Sequence, residues 1–210
     1  MRIGELSRES GVSVPTIKFY VREGLLPAGE LTSPNQASYG ETHVQRLRLI
    51  RALLDVGGLS VAAVREVMAA IDDVDKPIHD LLGTVATRMV PRYERGPGSG
   101  MEEAREAVGA LIGARGWQAH AEGPAAEALA TALAALEEVG HGGFAEVLDV
   151  YADAAERVAR ADVDYVAHHV AREELVESVV VGTVIGDAIF SALRRLAQTD
   201  ASGRLFGEAT

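Results

Sequence analysis

Residues 10–27 read SGVSVPTIKFYVREGLLP, and residues 38–60 read SYGETHVQRLRLIRALLDVGGLS. Ahead of the first stretch, Ile3 to Ser10 form a short helical segment with Ile3 and Leu6 apolar, and Gly11 closes it. A residue without a Cβ takes the left-handed backbone that ends a helix. Ser13 then offers a hydroxyl to cap the next helix, and Pro15 falls in its first turn, where the missing N–H costs nothing. Ile17, Tyr20 and Val21 recur at helical spacing until Gly24. Two short helices about a glycine turn are the result.

Outward from this pair, Leu25 to Tyr39 contain Pro27, Gly29, Pro34 and Asn35 with no helical period, which predicts a short hairpin or extended wing. A longer helix follows from about Glu41 to Val56, with Val44, Leu47, Ile50 and Leu54 on one side, and it ends at Gly57 and Gly58. Ser60 caps one more helix, running to about Ile71.

Pro77 starts a helix through about Met89, and PRYERGPGSG at 91–100 is the best linker in the chain. Beyond it, helical patterns run from Met101 to Ala114, from Pro124 to Val139, from Phe144 to about His169, and from Glu173 to about Ala197. The last is apolar nearly all round its middle, VVVGTVIGDAIFSAL, which points to burial on several sides in a bundle or a dimer interface. A strand is the alternative reading of that β-branched run, but the apolar residues continue too far for an ordinary strand.

Composition agrees with this mainly α reading. Of the 210 residues, 48% are hydrophobic and only 5% aromatic, with alanine prominent in the second half. Alanine favours helices, whereas β-branched and aromatic residues favour sheets. The expected organisation is a head over 1–72, a short helix and linker over 73–100, and an all-helical body over 101–210. With no cysteine, disulfide frameworks, iron–sulfur sites and thiolate metal sensors are excluded. Arg2, Glu5, Arg8 and Glu9 stand where a secretory signal would carry an apolar run, and no stretch reads as a membrane span, so the expectation is a cytoplasmic protein.

The formal net charge of −11 is unevenly distributed. Residues 1–72 hold eight Lys and Arg against eight Asp and Glu, and the remainder holds 12 against 23. The excess acid therefore lies outside the head, where it would repel phosphate and disfavour approach of the wrong face. A neutral head permits nucleic-acid binding without demonstrating it.

The two quoted stretches resemble the MerR family of transcription regulators, over roughly residues 2–71. The resemblance rests on several features in one order: the opening IGEL, the VSVPTIKFY segment, GLLP after it, Tyr39 ahead of the second helical pair, and a glycine-rich turn within that pair. It implies a winged helix-turn-helix that binds double-stranded promoter DNA as a homodimer on a nearly palindromic site, in some relatives by distorting the promoter for RNA polymerase. A recognition helix must present short polar or basic groups to base edges while its neighbours grip phosphates. Ser13, Thr16 and Lys18 match the base-reading positions. Phe19, Tyr20, Arg22, Asn35, Gln36, Tyr39 and Arg51 complete the candidate contact set, with Tyr20, Arg22, Tyr39 and Arg51 toward phosphate.

This chain departs from the family pattern at three points. Lys18 stands for the usual arginine and so offers a point charge in place of a bidentate fork, and Phe19 replaces the first of two tyrosines. The wing segment NQASY lacks an arginine before its tyrosine, leaving Asn35 and Gln36 as amide contacts. Bland roles compete for each position: Lys18, Arg22 and Arg51 also read as solvated helix charges, Phe19 reads better as core than as contact, and Tyr20 divides evenly between core and phosphate.

For the body, two readings stand. Trp117, Phe144, Tyr151, Tyr165 and Phe190, with Asp187 inside the most apolar helix, are candidates to line a pocket for a small apolar or amphipathic effector. Core packing explains the aromatics equally well, and an effector-free body serving dimerisation or protein contacts is the alternative. Dimerisation is expected through the last helix and the Tyr151 helix. No cofactor is expected, and no metal either: His168 and His169 are adjacent and point about 100° apart on a helix, His120 and His141 lie elsewhere, and no HxxxH spacing occurs. No phosphate loop, nucleophile motif or metal-ligand cluster suggests an enzyme.

Overall fold

A computed structural model describes residues 1–33, 36–73, 100–169 and 175–207. Helix α1 (Ile3–Ser10) ends where Gly11, at φ 70°, donates its N–H to the Ser7 carbonyl. Helix α2 (Val14–Arg22) starts at Ser13, whose Oγ accepts the Thr16 N–H at 3.3 Å. The antiparallel hairpin β1 (Glu30–Ser33) and β2 (Gln36–Ser38) is the expected wing, with Glu30 opposite Ser38 and Leu31 opposite Ala37. Its base is closed by Gly29, since a Cβ there would lie 2.7 Å from the Ser38 carbonyl and 2.9 Å from the Tyr39 ring.

Helix α3 (Glu41–Arg51) does not run unchanged to Gly57. Its last turn, Ala52–Val56, is π-helical, and Gly57 donates to the Ala52 carbonyl. A π turn accommodates one more residue per turn than the α-helix, and such segments cluster at functional places. Helix α4 (Val61–Asp72) begins at Ser60, whose hydroxyl accepts the Ala63 N–H at 3.2 Å.

The chain divides into two compact units, one of residues 1–85 with 171–210 and the other of residues 86–170. The sequence expectation ran the body from 101 to 210, whereas α8 (Leu175–Phe206) groups with the head. The reason is local packing. Val180 and Val184 of α8 are fully buried, and Val184 Cγ1 occupies the notch left by Gly57, only 2.1 Å from where a Cβ on that glycine would stand. The first unit's core is built from Leu6, Ile17, Leu25, Leu26, Leu47, Ile50, Leu53, Val64, Val67 and Met68, all essentially inaccessible.

In the second unit, α5 (Met101–Arg115) and α6 (Pro124–Glu138) pack through Ala104, Val108, Ala126, Ala130 and Ala134. Arg105 bonds both carboxylate oxygens of Glu127 across them, at 3.0 and 2.6 Å. A 3-10 segment, Gly142–Val147, leads into α7 (Leu148–His169). Arg115 at the end of α5 engages Asp149 and Asp153 of α7, and Trp117 Nε1 donates to Glu156 at 2.8 Å. The molecule is thus mainly helical with a single described hairpin; the expected helix at 77–89 and the linker up to residue 99 lie outside the described residues.

Candidate nucleic-acid interface

The recognition helix α2 is held by its buried side. Ile17 is inaccessible and Tyr20 only 7% exposed, while Leu25 and Leu26 are locked beneath it by N–H donation to the Tyr20 carbonyl. This leaves Ser13, Lys18 and Arg22 exposed and Thr16 half-buried along the opposite side. Ser13 and Thr16 are partly engaged with each other, their hydroxyl oxygens 2.7 Å apart, so the cap and the first reading position form one unit.

Phe19 is half-buried, tilted against Tyr20 at 5.8 Å, and carries the Arg22 guanidinium 5.5 Å above its ring. A cation held over an aromatic face loses rotamer freedom before it meets a phosphate. Tyr20 keeps its proton more firmly than an ordinary phenol because burial, followed by the charge of Asp55, pushes its pKa up against the opposing effect of Arg51. Its hydroxyl is therefore a donor at any ordinary pH.

At the wing, Gln36 is exposed and Tyr39 half-buried, and Asn35 lies outside the described residues. Tyr39 exchanges backbone bonds with Met1, donating to the Met1 carbonyl at 2.9 Å, which ties the end of the wing to the start of α1. Its ring meets His43 edge-on at 5.2 Å. The imidazole accepts the Gly40 N–H through Nδ1, which leaves the proton on the buried Nε2.

Arg51 reaches back toward the helix-turn-helix: a Cβ on Gly11 would sit 3.7 Å from its Nη1. Its other edge is held by Asp55, four residues on, with Nε and Nη2 each 3.0 Å from the same carboxylate oxygen. Two further arginines serve structure. Arg46 donates to the Leu25 carbonyl at 2.7 Å and grips both oxygens of Asp72, and Arg65 bonds the carbonyl and carboxylate of Glu23. The sequence reading placed Arg51 in the contact set but passed over Asp55, whose spacing from the arginine is the signal that marks a helical ion pair.

The six residues proposed to line an effector pocket are divided between the two units. Phe144 and Tyr151 meet at 6.0 Å, Trp117 is bonded to Glu156, and Tyr165 is 62% exposed on α7. Asp187 and Phe190 belong to α8 in the other unit and are exposed. The second unit does contain a cleft of about 460 Å³ between α5, α6 and the 3-10 segment. Ala104, Ala107, Leu133 and Leu136 line it with Glu103 and Glu137, and the Glu137 carboxylate lies over Gly142, where a Cβ would fall 2.0 Å from Oε1. Among the described residues no cluster of three or more potential metal ligands occurs, and no described helix is long and apolar enough to cross a membrane.

Residues 1–71 match the family described as MerR HTH family regulatory protein. The HTH-type transcriptional regulator HmrR of Sinorhizobium medicae is 35% identical over 95 residues, which cover 45% of this chain and 63% of that protein. The chain thus spans less than two thirds of that relative. The ZntR homolog of Haemophilus influenzae is 32% identical over 98 residues, covering 39% of this chain and 73% of that regulator. Along its whole length the chain also resembles the crystal structure of the transcriptional regulator SCO5550 from Streptomyces coelicolor A3(2), at TM-score 0.75 and 36% identity over 100% of both chains. With this match over its helix-turn-helix and wing, the chain belongs to the MerR family of DNA-binding transcription regulators.

Proposed function

We propose that the protein works in the cytoplasm as a homodimer on a nearly palindromic promoter site, with Lys18 at base edges and Arg22, Gln36, Tyr39 and Arg51 toward the backbone. The observation that carries this reading is α8. At 1.5 Å per residue its 32 residues span about 48 Å, and among the described side chains Val180 and Val184 are the fully buried ones, seated on the head. Farther along, Ile189, Leu193 and Leu196 are 55%, 57% and 68% exposed. Steps of four and three residues make a seam of the kind that pairs with a like helix. A second copy on that seam would present two recognition helices to successive turns of the duplex, as a palindrome requires. Distortion of the promoter for RNA polymerase would then draw on the backbone grip.

Control by a small organic effector is the fuller reading of the second unit, and the cleft between α5 and α6 is where we place it. Its volume falls in the ordinary range for ligand sites, about 300–1,000 Å³. The alternative, an effector-free module for protein contacts, draws on the exposed Val139, Phe144, Val147 and Val150. Native mass spectrometry of the full-length protein purified from its source tests both points. A mass of two chains is expected, and a mass of one chain at micromolar concentration would overturn the dimer. An additional small mass in the folded protein favours the effector; its absence favours the contact module.

A further inference from the structure

We propose that Asp55 is a positioning residue for DNA binding, holding the Arg51 guanidinium on one edge so that the other is presented beside the Gly11 turn at the start of the recognition helix. The proposal rests on the DNA-binding role of the head and concerns how one contact within it is prepared.

Geometry carries it. Arginine has five N–H donors in a planar fork, and Asp55 occupies only the Nε and Nη2 edge, through a single oxygen. The Nη1 edge faces the turn that launches α2, within van der Waals reach of a Cβ built on Gly11. Gly11 and Ser13, on either side of the buried Val12, are exposed, as are Lys18 and Arg22 on the helix that follows. Asp55 itself lies in the π-helical turn, while Arg51 is the last residue of α3. The link between them therefore spans the change of helical pitch.

Stability does not account for the pair. The two side chains are 50% and 55% exposed, and exposed pairs of this kind contribute little. A carboxylate on a surface that approaches phosphate is moreover unfavourable in the bound state. Its presence is understandable if it removes arginine motion that would otherwise be lost on binding. Both charges act on the Tyr20 hydroxyl, which brings α2, α3 and the π turn into one electrostatic cluster.

Charge and positioning predict opposite signs, which makes the test sharp. The probe is a duplex that the wild-type full-length protein enriches from a random-sequence library, with affinity measured across a salt series. Arg51→Gln should weaken binding and lower the salt slope by about one unit, as for one lost phosphate contact. Asp55→Ala should also weaken binding, by about three- to tenfold, and move the slope the same way. Asp55→Asn, which keeps an acceptor, should fall between it and wild type. The double variant Arg51→Gln/Asp55→Ala should bind no more weakly than Arg51→Gln alone, since the aspartate acts only through the arginine. Unchanged thermal melting of Asp55→Asn guards against a loss of fold. Tighter binding or a steeper slope on losing the aspartate, additive effects in the double variant, or no effect of Arg51→Gln would each overturn the proposal. Failure of the wild type to enrich any duplex would instead strike the DNA-binding role.

Discussion

The head and the second unit solve the same packing problem with different materials. The head closes on large branched side chains such as Leu6, Ile17, Leu47, Ile50 and Met68, each contributing about 1.5–3 kcal/mol when buried. The α5–α6 pair closes mainly on Ala104, Ala126, Ala130 and Ala134, which bury little area each but let two helices approach closely, with Val108 buried among them and Met101, Ile112, Leu129 and Leu133 partly buried around them. A core of large groups is vulnerable to hollowing, and a core built mainly of methyl groups is vulnerable to crowding.

The largest expected effect follows from hollowing the head. Ile50→Ala should cost about 2–5 kcal/mol, because Ile50 is inaccessible between α3 and its neighbours. Trp117 is the chain's single tryptophan and lies in the second unit, so its fluorescence reports that unit alone. In urea, the circular-dichroism transition of the head should move while the Trp117 transition stays in place; a shared shift would show that the two units unfold together and blunt the comparison.

Crowding the second unit comes next. Ala130→Leu places a larger side chain at a fully buried methyl and should cost about 1–3 kcal/mol, seen in the Trp117 transition. A neutral or stabilising result would mean that α5 and α6 are looser than their alanine contacts imply.

The smallest effect is electrostatic. Glu127 sits below its ordinary value of 4.5, chiefly through its hydrogen bonds to Arg105, with burial opposing them and the arginine's charge adding a smaller lowering. A depressed carboxylate contributes stability that is present above 4.5 and is lost as pH falls through the lowered folded value. Acidification through that window should therefore narrow the stability gap between wild type and Glu127→Gln. The pair is about half exposed, so the gap is small at any pH. Parallel pH curves for the two proteins would remove Glu127 from the account of acid sensitivity.

Much of the head was legible in its sequence. Gly11, Ser13 and Ser60 mark helix boundaries by local chemistry, and local chemistry survives folding. Helix α8 shows the opposite case. Its apolar run announces burial but not the partner, which is set by a notch at Gly57 in a distant part of the chain. Its end was also read short, at about Ala197, because the polar TDASG stretch carries no apolar period; the helix runs on to Phe206. At the interface, the recognition helix was readable because its exposed and buried sides alternate at helical spacing. The role of Asp55 was not, since a carboxylate near phosphate argues against itself until its hold on Arg51 is seen. The pocket candidates fall in both units because aromatic content carries no information about where the chain divides.

The seat of Val184 against Gly57 has a further consequence for the order in which the protein comes into being. A ribosome delivers residues 1–72 ahead of the second unit, yet the side chain that fills the notch behind the π turn arrives only after the whole of that unit has been made. Closing so long a loop is slow relative to forming the local helix pairs. A nascent or truncated head thus waits with the notch behind its π turn uncovered until α8 has been made.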